Sequence, residues 1–144
     1  MKKRIKYRIA TLDDLPAMEK IGDHLFDNPI KPDRAKEFLN DPRHHLVLAF
    51  NGENIVGMAS AFHYVHPDKD PELFINEVGV IDEFQNQSIG RTLVKIILEE
   101  GKKLNCTGAW IGTEVSNIAA QKCYKSAGGV EDEENFILIN FKKL

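Results

Sequence analysis

Apolar and polar positions alternate along several short stretches of the chain, and this two-residue period predicts β-strands. The predicted strands are residues 4–10, "HLVLAF", "IVGMASAFHYV", "LFINEVGVI", "AWIGTEV" and, near the end of the sequence, "NFILINF". The second and third of these are joined by "NGEN", a short Asn-Gly turn that is typical of a β-hairpin.

Apolar residues spaced three and four apart predict helices between these strands. Thr11 and Asp14 form a capping box for the first helix, whose apolar stripe runs from Leu12 to Leu25. Further helices are predicted around residues 33–40, from Ser88 to Lys103, and from a Ser116 or Asn117 cap to about Ala127. A strand, a helix and another strand in succession indicate a parallel crossover, so we expect an α/β fold (α+β mixed sheet).

The length and composition fit one domain, residues 1–144, with a single core. The 22 acidic and 19 basic residues give a net charge of −3, so the chain has no overall basic field for a nucleic-acid backbone. No apolar run approaches the roughly 18 residues that span a bilayer, and the start "KKRIKYRIA" lacks the apolar region of a signal peptide. We therefore expect a cytoplasmic protein that binds neither nucleic acid nor membrane.

The cysteines and histidines do not have the spacing of a metal site. Cys106 and Cys123 lie 17 residues apart without a Cys-x-x-Cys pattern, which favours free thiols. His63 and His66 are three apart on a predicted strand and so face opposite sides. Cys123 is interpreted as a small buried residue, because spacing places no histidine and acid beside it to make it a nucleophile.

The segment "QNQSIGR", residues 85–91, connects a predicted strand to a predicted helix. A helix N-terminus leaves about four amides unpaired and carries partial positive charge, so it attracts an anion such as phosphate. Gly90 leaves the backbone accessible, Ser88 caps or binds, and Arg91 adds a positive charge. The alternative is an ordinary turn whose serine and asparagines only cap the helix. The segment is neither a Rossmann fingerprint nor a P-loop, because their glycine and lysine spacings are missing.

A second segment, "NIAAQKCYKSAGG" at residues 117–129, is predicted to be helical. Asn117, Ala120 and Tyr124 lie at i, i+3 and i+7, so an amide, a small residue and a phenol share one face with room for a slender ligand. The alternative is an ordinary helix that Asn117 caps and in which Tyr124 lies half in the core.

Taken together, the two segments resemble the GNAT superfamily of acyl-CoA-dependent N-acetyltransferases. The first family motif, Gln or Arg, two residues, Gly, one residue, then Gly or Ala, is matched by Gln85 and Gly90, with Ser88 in place of the first glycine. The second motif is matched by Asn117, Ala120, Tyr124 and Gly128, with Gly129 at the position where phenylalanine is usual.

The resemblance implies a GNAT-like fold, with a central six- or seven-stranded mixed sheet flanked by about four helices. It also implies acetyl-CoA as co-substrate and no metal. The strand before the turn would diverge from its neighbour and bind the pantetheine arm, and the turn would hold the pyrophosphate on its amides. The implied cofactor-binding residues are Val78, Gly79, Val80, Gln85, Asn86, Gln87, Ser88, Ile89, Gly90, Arg91, Asn117 and Tyr124.

The implied reaction is direct attack of a primary amine on the thioester in a ternary complex. Tyr124 would protonate the departing thiolate, and an amide of the Val78–Val80 strand would polarise the thioester carbonyl. The amine must first lose a proton, and Glu77 is favoured as the base, directly or through water. Strand alternation places Glu72 on the opposite face unless a bulge intervenes. A surface carboxylate paired with a lysine is the alternative for Glu77.

The acceptor amine is left open among an aminoglycoside, a polyamine, a peptide and a small metabolite. The chain length and "LFINEVGV" show a faint likeness to the small aminoglycoside 3-N-acetyltransferases. The acidic segments "HPDKDPE" and Glu131–Glu134 either attract a polycation or are ordinary solvated loops. A homodimer is also left open, and the alternative function is a non-catalytic acyl-CoA-binding regulatory module.

Overall fold

The computed structural model describes residues 4–22 and 24–144, and Asp23, inside the first predicted helix, lies outside them. The described residues form one five-stranded sheet and four α-helices. The strands are β1 (Ile5–Ile9), β2 (His44–Asn51), β3 (Asn54–Tyr64), β4 (Glu72–Val80) and β5 (Ala109–Trp110). The helices are α1 (Leu15–Glu19), α2 (Pro32–Asn40), α3 (Ile89–Lys103) and α4 (Ile118–Ser126).

The sheet is mixed, as the sequence predicts. Its spatial order is β1-β2-β3-β4-β5, with antiparallel pairing from β1 to β4 and parallel pairing between β4 and β5. The parallel pair follows from the long α3 crossover, because adjacent parallel strands need a connection of a dozen or more residues. None of the helices within the described ranges has the length and apolar character that a membrane span requires.

Apolar side chains cover both faces of the sheet, which explains why β2 and β3 are nearly continuous apolar runs. On one face α3 contributes Leu93 and Ile97 to a core that includes Val47 of β2. On the other face, α1 and α2 pack over a second core that includes Met18 and Leu48. Val47 and Leu48 are sequence neighbours and both are completely buried, because successive strand residues point to opposite faces.

The first helix is shorter than its apolar stripe predicts. The capping box of Thr11 and Asp14 is present, but it caps a 3-10 turn (Leu12–Asp14) that leads into the five-residue α1. Asp14 is buried and is also bound by Arg8 of β1, which fixes this turn against the sheet. The chain then leaves helical geometry so that Leu25 packs across β4.

The sheet has fewer strands than the predicted six or seven, because the prediction of a strand at "NFILINF" is wrong. Residues 130–144 are irregular and exposed, and β5 is limited to residues 109–110 instead of 109–115. An alternating apolar pattern identifies a segment that is suited to a sheet, but it carries no information about whether a sheet edge lies within reach. The described structure leaves this segment unpaired.

Candidate active site

Strands β4 and β5 pair over only two residues each before they diverge. Their pairing is confined to Leu73 with Ala109 and Phe74 with Trp110, so the rest of β4 faces a gap on the β5 side. The backbone of Val78 and Val80 is directed into this gap. In the β3–β4 ladder the amide of Ile81 donates to Val56 (3.0 Å), and antiparallel alternation therefore turns residues 78 and 80 away from β3.

The turn after β4 presents a row of free amides. Asn86 and Ser88 adopt left-handed backbone geometry, with φ of 60° and 63°. Ser88 is the N-cap of α3, but its side chain makes no capping hydrogen bond, and the first helical bond runs from the Thr92 amide to the Ser88 carbonyl (3.1 Å). Among the described residues, the amides from 86 to 91 have no hydrogen-bond partner. With Arg91 beside them, they form an anion-binding concavity.

The left-handed geometry explains the family preference for glycine at position 88. Ser88 adopts the conformation that glycine reaches without strain, and a serine there carries a side chain in a region that L-residues rarely adopt. Its carbonyl oxygen also accepts from the Thr92 hydroxyl (2.8 Å), whereas the Ser88 hydroxyl makes no capping bond and is free to contact a ligand.

Helix α4 forms the opposite wall of the gap. Asn117 is its N-cap and accepts from the Ala120 amide through Oδ1 (3.1 Å), so the predicted capping role is confirmed. Tyr124 follows two turns later and is half-buried. Burial, with smaller effects of Cys123 and Glu114, raises the pKa of the Tyr124 phenol, which therefore keeps its proton at neutral pH.

Together, β4, the turn and α4 enclose a cavity of about 860 Å³. Of the residues predicted to bind the cofactor, all except Gln87 line this cavity. The Gln87 side chain instead donates to the Glu83 carbonyl (3.4 Å), although its amide belongs to the row in the turn. Glu77 does not line the cavity either.

Packing within the protein leaves no room for a side chain at Gly79 and little room at Gly90. A Cβ on Gly79 would lie 2.6 Å from the carbonyl oxygen of Leu25, and one on Gly90 would lie 3.1 Å from Sγ of Cys123. The α1–α2 connection and α4 therefore pack closely against these two glycines, both of which also line the cavity. Burial raises the pKa of the Cys123 thiol, which agrees with a packing role and makes it a poor nucleophile.

A β-bulge in β4 determines where Glu77 points. Ser60 pairs with Glu77, whereas Ala61 pairs with Ile75, so Asn76 is an additional residue. The bulge reverses the strand alternation and turns Glu77 to the same face as Glu72, towards α1 and α2. The two acids on β4 therefore share a face, which simple alternation does not predict.

The Glu77 carboxylate contacts the α1–α2 connection. Its Oε2 accepts from the Asp27 amide (3.3 Å), and its own amide donates to the Ser60 hydroxyl (3.2 Å). Burial raises the pKa of Glu77; the hydrogen bond from the Asp27 amide partly opposes this effect, and the nearby charge of Asp27 adds to it. Glu72, in contrast, forms an ion pair with Lys69 (3.4 Å). Among the described residues, no lysine pairs with Glu77.

Sequence reasoning missed a contact between two histidines. His45 Nε2 lies 2.8 Å from His63 Nδ1 on neighbouring strands, and burial lowers the pKa of His45. The signal was the β2–β3 hairpin register, which places His45 opposite Ala61 and therefore near His63. Within the described ranges, no three metal-binding side chains cluster together.

Several solved structures share this fold. An aminoglycoside acetyltransferase from an uncultured soil metagenomic sample, in complex with sisomicin, superposes with a TM-score of 0.83 at 16% identity, covering 96% of this chain and 97% of that one. The aminoglycoside N-acetyltransferase AAC(6')-Iy in complex with CoA gives 0.80 at 18% identity, with 99% and 98% covered. A transcriptional regulator from Bacillus halodurans C-125 gives 0.76 at 24% identity, with 96% and 100% covered.

The sequence itself identifies the family. No curated protein sequence matches this chain. The family model described as the acetyltransferase (GNAT) family matches residues 10–128, which include both predicted motifs except Gly129 and all the residues that line the cavity. The resemblance and the fold class predicted from the sequence are therefore confirmed, and the chain belongs to the GNAT family of acetyltransferases.

Proposed function

We propose that this protein transfers an acetyl group from acetyl-CoA to a primary amine by direct attack within a ternary complex. The observation that carries the proposal is one cavity that combines three features: the free backbone edge of Val78 and Val80, the unpartnered amides of residues 86–91, and the phenol of Tyr124. An anion site, an extended hydrogen-bonding edge and a proton donor are the three parts that an acyl-CoA acetyltransferase needs.

The residues present fit acetyl-CoA. The amides of residues 86–91, Arg91 and the Ser88 hydroxyl are suited to the phosphates. The free edge of Val78 and Val80 is suited to the amide groups of pantetheine, in the manner of an added strand. Asn117 uses Oδ1 for capping, which leaves its amide nitrogen for the same arm. When bound, acetyl-CoA supplies an activated thioester carbonyl.

The chain's own groups provide the proton transfers. Glu77, or a water held by it, takes a proton from the amine, whose nitrogen then bonds to the acetyl carbon as the carbon–sulfur bond breaks. Tyr124 gives its proton to the sulfur that leaves. An amide of the Val78–Val80 edge stabilises the negative charge that develops on the carbonyl oxygen. The protonated amine loses two protons in all: Glu77 takes the first before the attack, and the second leaves the nitrogen as the amide forms and restores the Tyr124 phenol. One proton therefore reaches the sulfur and one is released to solvent, so the transfer balances.

The two substrates approach from different sides of β4. Tyr124 and the turn lie on the α3–α4 side, whereas the bulge directs Glu77 towards α1 and α2. The amine therefore enters beside the α1–α2 connection and meets the acetyl group at the open edge of β4. This separation is what a ternary complex requires, because both substrates are bound at once.

We further propose a polycationic acceptor, with aminoglycosides as the first class to test. Glu77 and Asp27 lie together at the acceptor side, and two neighbouring carboxylic groups favour a substrate with more than one positive charge. Two of the similar folds are aminoglycoside acetyltransferases, which supports the same class. Polyamines, peptides and small amines are the comparison classes.

Thermal unfolding with and without acetyl-CoA tests the donor, and thiol release in the same samples tests the acceptor. Acetyl-CoA at about 100 times its dissociation constant should stabilise the fold by roughly 2.7 kcal/mol. Thiol release with an aminoglycoside, and not with the other amines, would support both parts of the proposal. Stabilisation without thiol release would point to a binding module, and no stabilisation would contradict the donor site.

A matched pair of variants tests where the phosphates of acetyl-CoA bind. Arg91→Glu reverses the charge beside the free amides and should weaken acetyl-CoA binding. Lys95→Glu makes the same change one turn further along α3, where it is not among the residues that line the cavity. Equal effects of the two changes would mean that the phosphates bind elsewhere.

A further inference from the structure

Three large aromatic side chains cross the sheet on the face that carries Glu77. Phe62 of β3, Phe74 of β4 and Trp110 of β5, here called the aromatic row, belong to neither core of the described structure. The ring centroids of Phe62 and Phe74 lie 5.1 Å apart at 62°, and those of Phe74 and Trp110 lie 4.2 Å apart at 48°. These edge and tilted contacts hold the three rings in fixed orientations.

The aromatic row is accessible to solvent. Trp110 is 53% exposed, and Phe62 and Phe74 are only partly buried. Helix α2 borders the row on the β2 side, where Phe38 stacks on His44 with 5.1 Å between ring centroids and His44 meets Phe62 at 6.2 Å. Neighbouring aromatic groups that remain exposed and bury no core are typical of a surface that binds a ligand.

The strand register places the aromatic row beside Glu77. Phe62 pairs with Phe74, and Ser60, the preceding residue of β3 on the same face, pairs with Glu77. One alternation step is two residues, so the row lies about 7 Å along the strands from Glu77. Phe74 and Glu77 are three residues apart, and it is the bulge at Asn76 that brings them to one face.

We propose that the aromatic row is part of the acceptor site and binds a ring of the acceptor, whose reactive amine lies at Glu77. This inference rests on the proposed acetyl transfer and adds to it the residues that select the amine. The faces of the Phe74 and Trp110 rings attract ammonium groups and also the C–H groups of a saturated ring that carries them. A rigid ring also loses less conformational freedom on binding than a flexible chain of equal charge.

This chemistry defines a class that is narrower than polycations. A cyclic amine with an apolar ring face, such as an aminosugar, places one amine at Glu77 and its ring against the aromatic row. A linear polyamine carries a similar charge but presents only flexible methylene groups to the row. The carboxylic groups of Glu77 and Asp27 attract both kinds of amine, so the preference for a ring depends on the aromatic row.

The emission of Trp110 measures acceptor binding without turnover. Trp110 is the only tryptophan of the chain, so its fluorescence reports on the aromatic row. The full chain is titrated with sisomicin, a cyclic amine, in the presence of CoA, which has no acetyl group to transfer. We expect a saturable blue shift as the acceptor covers the indole, and almost no shift with spermidine, a linear amine. An equal response to both amines, or a response to neither, would overturn the inference.

Replacement of Trp110 tests the same contact by kinetics. Trp110→Ala should raise KM for sisomicin about tenfold, on the order expected for the loss of one such aromatic contact, and leave KM for acetyl-CoA and for spermidine unchanged. Trp110→Phe keeps an aromatic face and should restore most of the affinity. Phe74→Leu, which keeps apolar bulk against Phe62, should act in the same direction as Trp110→Ala. A purely structural role for Trp110 would change all three KM values together.

The two measurements separate this inference from the proposed function. Acetyl transfer to sisomicin with the same KM in Trp110→Ala and the unmodified protein would overturn the role of the aromatic row and leave the proposed transfer intact. A saturable shift of Trp110 emission with sisomicin, without thiol release from acetyl-CoA, would support the aromatic row as a ring-binding site and contradict the transfer.

Discussion

Burial changes Tyr124 and Glu77 in the same direction but with opposite chemical consequences. It raises the pKa of both side chains, because each is charged only after it loses a proton. For Tyr124 a raised pKa preserves the phenol as a proton donor at neutral pH. For Glu77 a raised pKa makes the carboxylate a stronger base for an amine proton. In the proposed reaction, the same physical effect would therefore prepare one proton donor and one proton acceptor on opposite sides of β4.

Replacing Tyr124 with phenylalanine tests the proton donor. The variant keeps the ring that packs against the core and removes only the hydroxyl. We expect kcat to fall by about 10² or more, with little change in acetyl-CoA affinity, because general acid catalysis contributes on that order. Steady-state kinetics and calorimetric titration measure the two quantities. Tyr64→Phe, at an exposed phenol, is the control, and an unchanged kcat in the Tyr124 variant would remove this residue from the acid role.

Replacing Glu77 with glutamine tests the base through the pH dependence of the rate. Glutamine retains an oxygen that can accept from the Asp27 amide and loses the proton acceptor. Because the amine is mostly protonated below its own pKa, we expect the largest loss of rate near neutral pH and a smaller loss as the amine becomes neutral at higher pH. A loss of rate that is the same at every pH would mean that water or another group, and not Glu77, is the base.

The stability of the same variant has a predicted sign. The raised pKa means that the folded protein binds the Glu77 proton more tightly than the unfolded chain does. The stability due to this group is therefore present at low pH and lost as pH rises through the folded pKa. Glu77→Gln should consequently keep or increase the melting temperature at neutral pH. Glu72→Gln, which breaks only the exposed pair with Lys69, is the control and should leave the rate unchanged.

At the scale of elements, the loop that follows α1 contacts β4 on the side that we propose for the acceptor. The Leu25 carbonyl lies against Gly79, and two residues later the Asp27 amide binds Glu77. Gly79→Ala should displace this loop, because the new Cβ would meet a backbone oxygen at 2.6 Å. We expect KM for the amine to rise severalfold, with a smaller effect on KM for acetyl-CoA.

The control for Gly79→Ala is Gly57→Ala, a glycine on the neighbouring strand whose Cβ would meet Leu93 and Ile89 on the α3 side at 3.1 and 3.2 Å. That change crowds α3 and should affect acetyl-CoA binding or stability first. Bisubstrate kinetics separates the two KM values. If Gly79→Ala changed only the acetyl-CoA constant, the loop would have no part in acceptor binding.

The features that the sequence predicted are those whose causes are local. The Thr11–Asp14 capping box, the Asn117 cap and the start of α3 after Ser88 each depend on a few consecutive residues. The features that it missed or left open depend on partners far along the chain. The bulge at Asn76, which the sequence left open, exists only relative to β3.

Gly79 shows the same difference between local and long-range causes. The resemblance implied Gly79 as a cofactor-binding residue, but the protein group that approaches it, the Leu25 carbonyl, is more than fifty residues away in sequence. The strand predicted at residues 135–141 failed for a related reason. Its pattern is intrinsic to the segment, whereas a strand also needs a partner, and the described structure pairs this segment with no strand.

At the scale of the whole molecule, the sheet separates two cores that support different halves of the site. The core under α3 fixes the helix whose N-terminus carries the free amides, and the core under α1 and α2 supports the loop beside Glu77. Because β2 and β3 contribute to both cores, a packing defect on one face should destabilise the whole sheet. Ligand binding on the α3 side should therefore stabilise the entire fold and not only the turn.

Leu93→Ala measures this coupling between core and ligand site. Leu93 is completely buried and lies one turn beyond the free amides, against Gly57 of β3. The resulting cavity should lower the free energy of unfolding by about 2–5 kcal/mol, as determined by urea unfolding with an unchanged m-value. Leu12→Ala, at a partly exposed leucine, should cost much less. If acetyl-CoA binds at the N-terminus of α3, a saturating concentration should restore part of the lost free energy of unfolding. Failure of acetyl-CoA to stabilise the Leu93→Ala variant would contradict that placement.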